Sequence, residues 1–297
     1  MAVQDKPDAT VLLLCYNQEA YIEDAVRSVL AQVGSRIQII ISDDCSTDQT
    51  LKRARQAIHN YTGPHSVKLN ANKENLGLIS HINKLVEMAD GDIIVMAAGD
   101  DISLPHRVRA CLDGFHNNTM AVFSAVDIIN RSGQYLRTRH TWSLGDEVPL
   151  LYLCKKGGVG PGASYAYRKK VFEWPWKYEG NVPEDRIYPL RAGLLGKVRY
   201  ISTPLVSWRE HPTNSSPNSV RHMTQHRVMV EHSVEIMKSI AVACSQGYVS
   251  DETFTECTYK LMETAKKSFG SQSKFVALTN FLKKIRRVIR NSLQRSE

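Results

Sequence analysis

The chain lacks most of the signatures that assign a function at a glance. No G-x-G-x-x-G follows its first apolar run, and no G-x-x-x-x-G-K-[ST] is present. The usual dinucleotide fingerprint and the P-loop are therefore excluded. No apolar stretch approaches the roughly 20 residues that span a bilayer. Six cysteines, at 15, 45, 111, 154, 244 and 257, form no C-x-x-C and no regular spacing. No secretory leader is visible, because Asp5 and Asp8 stand where a basic leader segment would be. These absences predict a cytoplasmic protein with reduced thiols. The sequons at Asn117 and Asn214 then read as chance matches. No internal repeat or low-complexity tract is present.

Net charge is small over most of the length. The formal net charge is +8, but residues 280–297 hold six Lys or Arg against one acid, a net +5, which leaves +3 for residues 1–279. A basic face for nucleic acid should spread over the body with aromatics interleaved. Here the basic charge gathers in the tail, and no nucleic-acid partner is expected. In that tail Phe275, Leu278, Phe281, Leu282, Ile285, Val288 and Ile289 recur at helical spacing, with Lys283, Lys284, Arg286, Arg287 and Arg290 opposite. Such a helix either docks on an anionic membrane or packs on the body with a solvated basic face. Peripheral association with the inner face of the plasma membrane is the expectation attached to the first. His222 and His226 stand one helical turn apart and read as ordinary surface residues without a third ligand.

What is abundant is the alternation of apolar runs with amphipathic stretches. Thr10–Cys15, Ile37–Ile41, Ser66–Leu69 and Ile93–Ala98 read as strands, the last continuously apolar, the first apolar from Val11 and the second broken only by Gln38. Between them, Tyr21, Ile22, Ala25, Val26, Val29 and Leu30, then Leu51, Ala54, Ala57 and Ile58, then Ile79, Ile82, Leu85, Val86 and Ala89 recur at helical spacing. Strand, helix, strand, helix, strand, helix, strand predicts an α/β, doubly wound, mostly parallel sheet flanked by helices. Pro105 suits the first turn of a helix to about Phe115. Met120–Ile129 turns back through Arg131-Ser132-Gly133 into a hairpin. Thr138–Gly162, with four glycines in residues 157–162, reads as a loop over a ligand site. Ala163–Arg168, Val198–Ile201 and Leu205–Trp208 read as strands, and the chain turns helical beyond Ser219.

Acids cluster at the ends of these strands. Asp43-Asp44 closes the second and Asp100-Asp101 the fourth, Tyr16-Asn17 follows the first, and Glu184-Asp185 stands farther on. Parallel strands bring their carboxyl ends together, where open α/β sheets bind ligands. Adjacent carboxylates repel, and an oxygen-liganded divalent cation relieves that repulsion. An Asp-Asp pair is otherwise a turn with helix-capping residues, and Glu184-Asp185 is otherwise a pair of first-turn acids.

The motifs in order resemble the family-2 glycosyltransferases of the GT-A fold, over about residues 10–215. V-L-L-L-C-Y-N-Q-E-A-Y-I resembles the family's opening strand and helix, and I-S-D-D-C-S-T-D-Q-T its V-D-D-G-S-T-D-x-T. N-L-G-L-I-S-H-I-N resembles N-x-G-x-x-x-A-x-N, G-D-D-I-S-L-P the metal-binding D-x-D segment, E-D-R-I-Y-P-L-R the E-D helix, and W-R-E-H-P-T-N-S-S the terminal histidine. The resemblance implies a catalytic domain over 1–219, with a nucleotide-sugar half at about 10–115 and an acceptor half at about 116–219, and a helical extension over 220–297. It implies a surface-polysaccharide type of enzyme, inverting and dependent on Mn²⁺ or Mg²⁺. A UDP-sugar is the expected donor and a saccharide or lipid-linked glycan the expected acceptor.

The roles it implies fall on particular residues. Tyr16 would pack on the base, and Asp44 would accept the uracil N–H. Asn17, Asp43 and Gly77 would line the nucleotide, and Asp100 would hold ribose or metal. Asp101 is the first choice of metal ligand, with His211 a further ligand of metal or diphosphate. Asp185 would be the general base beside Glu184, and Gly160 and Gly162 would let backbone approach the donor. Departures are Leu14-Cys15 in place of small polar residues, Cys45 in place of Gly, and Pro189 inside the E-D helix. Pro189 predicts a helix start at Arg186 or later. The competing classes are a sugar-phosphate nucleotidyltransferase, whose Gly-rich basic loop is replaced here by C-Y-N-Q-E, and a non-enzymatic basic module.

Overall fold

A computed structural model describes residues 6–156, 158–174, 183–211 and 225–269. The basic amphipathic tail and His222 lie outside these residues. The apolar runs form the parallel part of one sheet. β1 (Ala9–Cys15) and β2 (Ile37–Asp43) are buried along their whole length, and β4 (Ile93–Ala98) nearly so. Continuous branched runs adopt this position when both faces of a sheet are covered. β3 (Ser66–Ala71) is the edge strand and has no buried residue. α1 (Ile22–Leu30) buries Ile22, Ala25, Val26 and Val29, and α3 (Leu78–Met88) buries Ile79, Ile82, Leu85 and Val86. α2 (Thr50–Ile58) buries Ala54. Register places Cys15 opposite Asp43, and Leu14 opposite both Ser42 and Ala98. Three strand ends therefore lie side by side, as the acid pairs require.

Beyond β4 the sheet changes direction. β5 (Ile102–Ser103), β6 (Thr119–Ile129), β7 (Tyr135–Arg139), β8 (Tyr165–Arg168) and β9 (Lys197–Arg209) complete an order β3-β2-β1-β4-β8-β6-β9-β5, with β7 paired to β6. The β4–β8, β6–β8, β6–β7 and β5–β9 pairs are antiparallel. The doubly wound reading thus holds through β4 and gives way to hairpin-like pairing after it. The two short strands expected at 198–201 and 205–208 are one strand, β9. The helix after Pro105 is α4 (Arg107–Gly114).

The described chain forms two compact units. One comprises 1–147, 160–179 and 198–212, and the other 148–159, 180–197 and 213–297. This grouping differs from an expected boundary at 219, because two helices that precede that boundary pack with the helices that follow it. They are α5 (Leu150–Lys156) and α6 (Glu184–Leu195), which join α7 (Gln225–Ser245) and α8 (Asp251–Phe269). Within this helical unit Arg191 and Glu235 form an ion pair at 3.1 Å with both side chains buried. Removing one partner of such a pair would strand a buried charge.

Two local expectations are corrected. The stretch 138–162, expected as one loop, contains α5, and Glu147 bridges to Arg199 on β9. The E-D helix starts at Glu184, two residues earlier than Pro189 suggested. Proline leaves the carbonyl four residues before it without its helical donor and crowds it. Here that carbonyl is Asp185's, and Gly158 lies against it. A Cβ on Gly158 would fall 1.6 Å from the Asp185 oxygen, so glycine lets a neighbouring segment occupy the disrupted turn.

Candidate active site

The end of β4 is built for close approach. Gly99 donates its N–H to the Leu14 carbonyl at 2.9 Å. A Cβ on Gly99 would fall 2.5 Å from Gln18 Oε1 and 2.7 Å from Cys15 Cβ. Only glycine lets β4 finish this near to β1. Asp100 and Asp101 follow, and the two-residue β5 then pairs with β9, Ile102 opposite Ser207 and Ser103 opposite Val206. Continuing that antiparallel register carries Arg209 and His211 back to the two acids. Arg209 N–H donates to Asp101 Oδ1 at 2.9 Å, and Arg209 Nε donates to the Asp100 carbonyl at 2.9 Å. His211 Nε2 lies 3.0 Å from Asp100 Oδ2.

This geometry gives the two acids different partners. Asp101 is 5% exposed and accepts a main-chain N–H. Burial, and then the Asp100 charge, push its carboxyl well above the usual carboxylate range. It fixes the register between the β4 end and β9. The Asp100 side chain is 12% exposed and meets the imidazole. Asp100 is therefore the acid that faces the imidazole, and Asp101 the acid that faces the main chain.

Asp43 and Asp44 sit in different surroundings. Asp43 accepts the Ser46 N–H at 2.9 Å and the Ser46 hydroxyl, and both acids are almost fully buried. Asp44 accepts from Asn72 Nδ2 at 2.7 Å, Leu76 N–H at 3.0 Å and Gly77 N–H at 3.0 Å. An ionised carboxylate offers about four acceptor positions, so three are taken by the chain itself. Hydrogen-bond donors of the chain itself thus satisfy most of this pair. The network extends to the buried His81, whose Nε2 lies 2.5 Å from Ser42 Oγ, and to Lys84, which donates to Asn72 Oδ1 at 2.6 Å.

The remaining expected nucleotide contacts are placed as follows. Tyr16 is 47% exposed, directly after β1. Asn17 takes a left-handed φ of 52° and its Oδ1 accepts the Thr47 N–H at 2.8 Å, which ties the β1 and β2 loops together. Gly77 has φ 74° and opens α3. Cys45, where the family motif has Gly, keeps the left-handed turn with φ 63°. The turn survives the substitution, at a cost of about 1–2 kcal/mol of backbone strain. Gly160 donates its N–H to the Tyr165 hydroxyl at 3.2 Å.

Glu184 and Asp185 begin α6 in the helical unit. Burial, and then the Asp185 charge, push Glu184 up to about 8. Glu184 is thus held protonated at neutral pH, the state in which a carboxyl can donate a hydrogen bond.

The Asp100–His211 pair fits a divalent cation. Two adjacent ligands on an octahedral ion with bonds near 2.1 Å lie about 3 Å apart, and Asp100 Oδ2 and His211 Nε2 are 3.0 Å apart. A carboxylate with an imidazole suits Mn²⁺ at least as well as Mg²⁺. Among the described residues no group of three or more His, Cys, Asp or Glu gathers to complete such a shell.

Sequence reasoning missed Arg209, Tyr21 and Asp24. Arg209 Nη1 donates to the Arg131 carbonyl at 3.0 Å, Nη2 lies 3.5 Å from Asp24 Oδ2, and the guanidinium stands 4.9 Å from the Tyr21 ring centroid. The one available signal was the Arg in W-R-E-H, two residues before the histidine.

Comparison with known proteins places this arrangement. TarS of S. aureus, residues 1–349, solved with UDP, superposes with a TM-score of 0.62 at 17% identity, over 90% of this chain and 73% of that one. The mannosyltransferase PcManGT of Pyrobaculum calidifontis, solved with GDP-Man and Mn²⁺, gives a TM-score of 0.52 at 15% identity, over 98% and 84%. These likenesses show the GT-A fold. EpsE of Bacillus subtilis (strain 168) is 35% identical over 103 residues, which is 35% of this chain and 36% of its own length. The profile described as Glycosyl transferase family 2 matches residues 10–174, more than half of the chain. The chain belongs to glycosyl transferase family 2.

Proposed function

We propose that the protein transfers a glycosyl group from a nucleoside diphosphate sugar to a hydroxyl of a saccharide or lipid-linked glycan, with inversion, in surface-polysaccharide synthesis. The observation that carries the reading is the 3.0 Å pairing of Asp100 with His211 at the carboxyl edge of the parallel strands. Asp100 and His211 would hold Mn²⁺ or Mg²⁺, which supplies charge neutralisation to the departing diphosphate. A bound diphosphate and water complete such a shell when protein ligands are few. Arg209 and Asp101 hold the segment rigid. Tyr16 offers an exposed aromatic face for the base, and Asp44 shapes the 72–77 turn and keeps one acceptor position for a base N–H.

Asp185 is the general base that takes the proton from the acceptor hydroxyl. Glu184, held protonated toward pH 8, is the acceptor-side partner. UDP is the first donor nucleotide to test, on the strength of the TarS complex, and GDP the second. No described helix is long and apolar enough to cross a membrane. Contact with an anionic bilayer would fall to residues 275–297.

Calorimetric titration with UDP and GDP, with and without Mn²⁺, tests the reading. Mn²⁺-dependent binding of one nucleotide, lost in Asp100→Asn, is expected. Transfer should disappear in Asp185→Asn while nucleotide binding stays. Full turnover in Asp185→Asn would contradict the base assignment, and metal-independent binding would contradict the cation.

A further inference from the structure

Tyr21 opens α1, and the sequence reads it as part of that helix's buried stripe. The structure puts it to another use. Its N–H donates to the Gln18 carbonyl at 2.9 Å, and its carbonyl accepts the Ala25 N–H at 3.2 Å. Ile22, Ala25 and Val26, directly after it, are fully buried, so its backbone is anchored in the core. Its ring projects away from that stripe. The Tyr21 and His211 ring centroids lie 4.8 Å apart with 30° between planes, and the Arg209 guanidinium stands 4.9 Å from the Tyr21 ring. Arg209 is itself fixed: Nε donates to the Asp100 carbonyl, Nη1 to the Arg131 carbonyl, and the main-chain N–H to Asp101. Four groups thus close a ring: Tyr21 to His211, His211 to Asp100, Asp100 to Arg209, and Arg209 back to Tyr21.

We infer that Tyr21 is a positioning residue, whose ring, backed by Arg209, holds the His211 imidazole with Nε2 aimed at Asp100 Oδ2. This rests on the function proposed above. His211 lies two residues past the end of β9, so the strand ladder does not orient its imidazole. A stacked aromatic partner restricts the ring torsion, and offset or tilted pairs are favourable beyond their buried area. A donor already immobilised loses less freedom on binding than one that must be ordered. Tyr21 therefore raises affinity for cation and diphosphate without touching either.

The test is a double-mutant cycle with Tyr21→Leu and His211→Ala, read as Mn²⁺ affinity of the UDP complex by electron paramagnetic resonance. Melting temperatures are measured in parallel. Tyr21→Leu is expected to weaken Mn²⁺ binding about five- to twenty-fold. It should have no further effect in the His211→Ala background, because the two act as one unit. Tyr21→Phe, which keeps the ring, should stay within about two-fold of wild type. Wild-type Mn²⁺ affinity in Tyr21→Leu overturns the inference, as does an equal loss in both backgrounds. If Tyr21→Leu abolishes the wild-type melting transition, Tyr21→Met carries the same cycle. A wild-type protein that binds no Mn²⁺ with either UDP or GDP refutes the proposed function and the inference with it. Wild-type binding with an unaltered Tyr21→Leu refutes the inference alone.

Discussion

Asp43-Asp44 and Asp100-Asp101 are the same dipeptide at the ends of two strands of one sheet, and they do different work. The first pair is consumed by the chain: Ser46, Asn72, Leu76 and Gly77 direct donors at it. The second is split. Asp101 takes the Arg209 N–H in the interior, and Asp100 meets a histidine from a strand more than a hundred residues later. The lesson is that acid clustering does not imply a cation; the supply of N–H donors decides. Where the following loop turns its amides onto the carboxylate, charge is settled locally. Where an imidazole is delivered instead, the carboxylate meets a side chain that can also bind a metal.

The comparison can be broken at either end. Asp44→Ala should have the largest effect, and on stability. It leaves the Leu76 N–H and the Asn72 amide without their acceptor, and the Gly77 N–H with Asn75 Oδ1 alone, which should cost about 2–5 kcal/mol in denaturant unfolding. A loss under about 1 kcal/mol would mean that those donors find water instead. Asp100→Asn should do the reverse. It should leave the unfolding midpoint near wild type and weaken Mn²⁺-dependent nucleotide binding at least about 100-fold, or about 2.7 kcal/mol.

The third acid pair sharpens the contrast through pH. Glu184 is raised from 4.5 to about 8 by burial and by Asp185. The folded state therefore binds this proton more tightly than the unfolded chain does. The contribution is complete below about pH 4.5 and is lost as pH rises through about 8. Thermal scans should show Glu184→Gln flattening part of the wild-type decline across that window, by roughly 2 °C or more at the alkaline end. Parallel curves would place Glu184 in solvent. The smallest effect is expected at Cys45, whose φ of 63° is a glycine conformation. Cys45→Gly should relieve strain and stabilise by about 0.5–1 kcal/mol.

The parts of the fold legible in the sequence are those whose burial is uniform. β1, β2 and β4 announce themselves as predominantly apolar runs, and α1 and α3 as regular stripes. β5 was not legible, because two residues carry no period, yet β5 is what brings Arg209 and His211 to the acids. α5 was hidden because seven residues ahead of a glycine run give too little pattern. α6 was legible as the E-D helix, but its bounds were not, because Ile187 through Ala192 are all buried, Arg191 included, and leave no clear stripe. The difference in surroundings between Asp100 and Asp101 was also hidden. It depends on which of them faces a main-chain donor from β9, a fact of pairing rather than of composition.

The most direct measurement is anomalous diffraction at the manganese edge from crystals grown with Mn²⁺ and UDP. The account predicts one peak at about 2.1–2.3 Å from both Asp100 Oδ2 and His211 Nε2. A peak at Asp43 and Asp44, or bound UDP with no manganese beside Asp100, would contradict it.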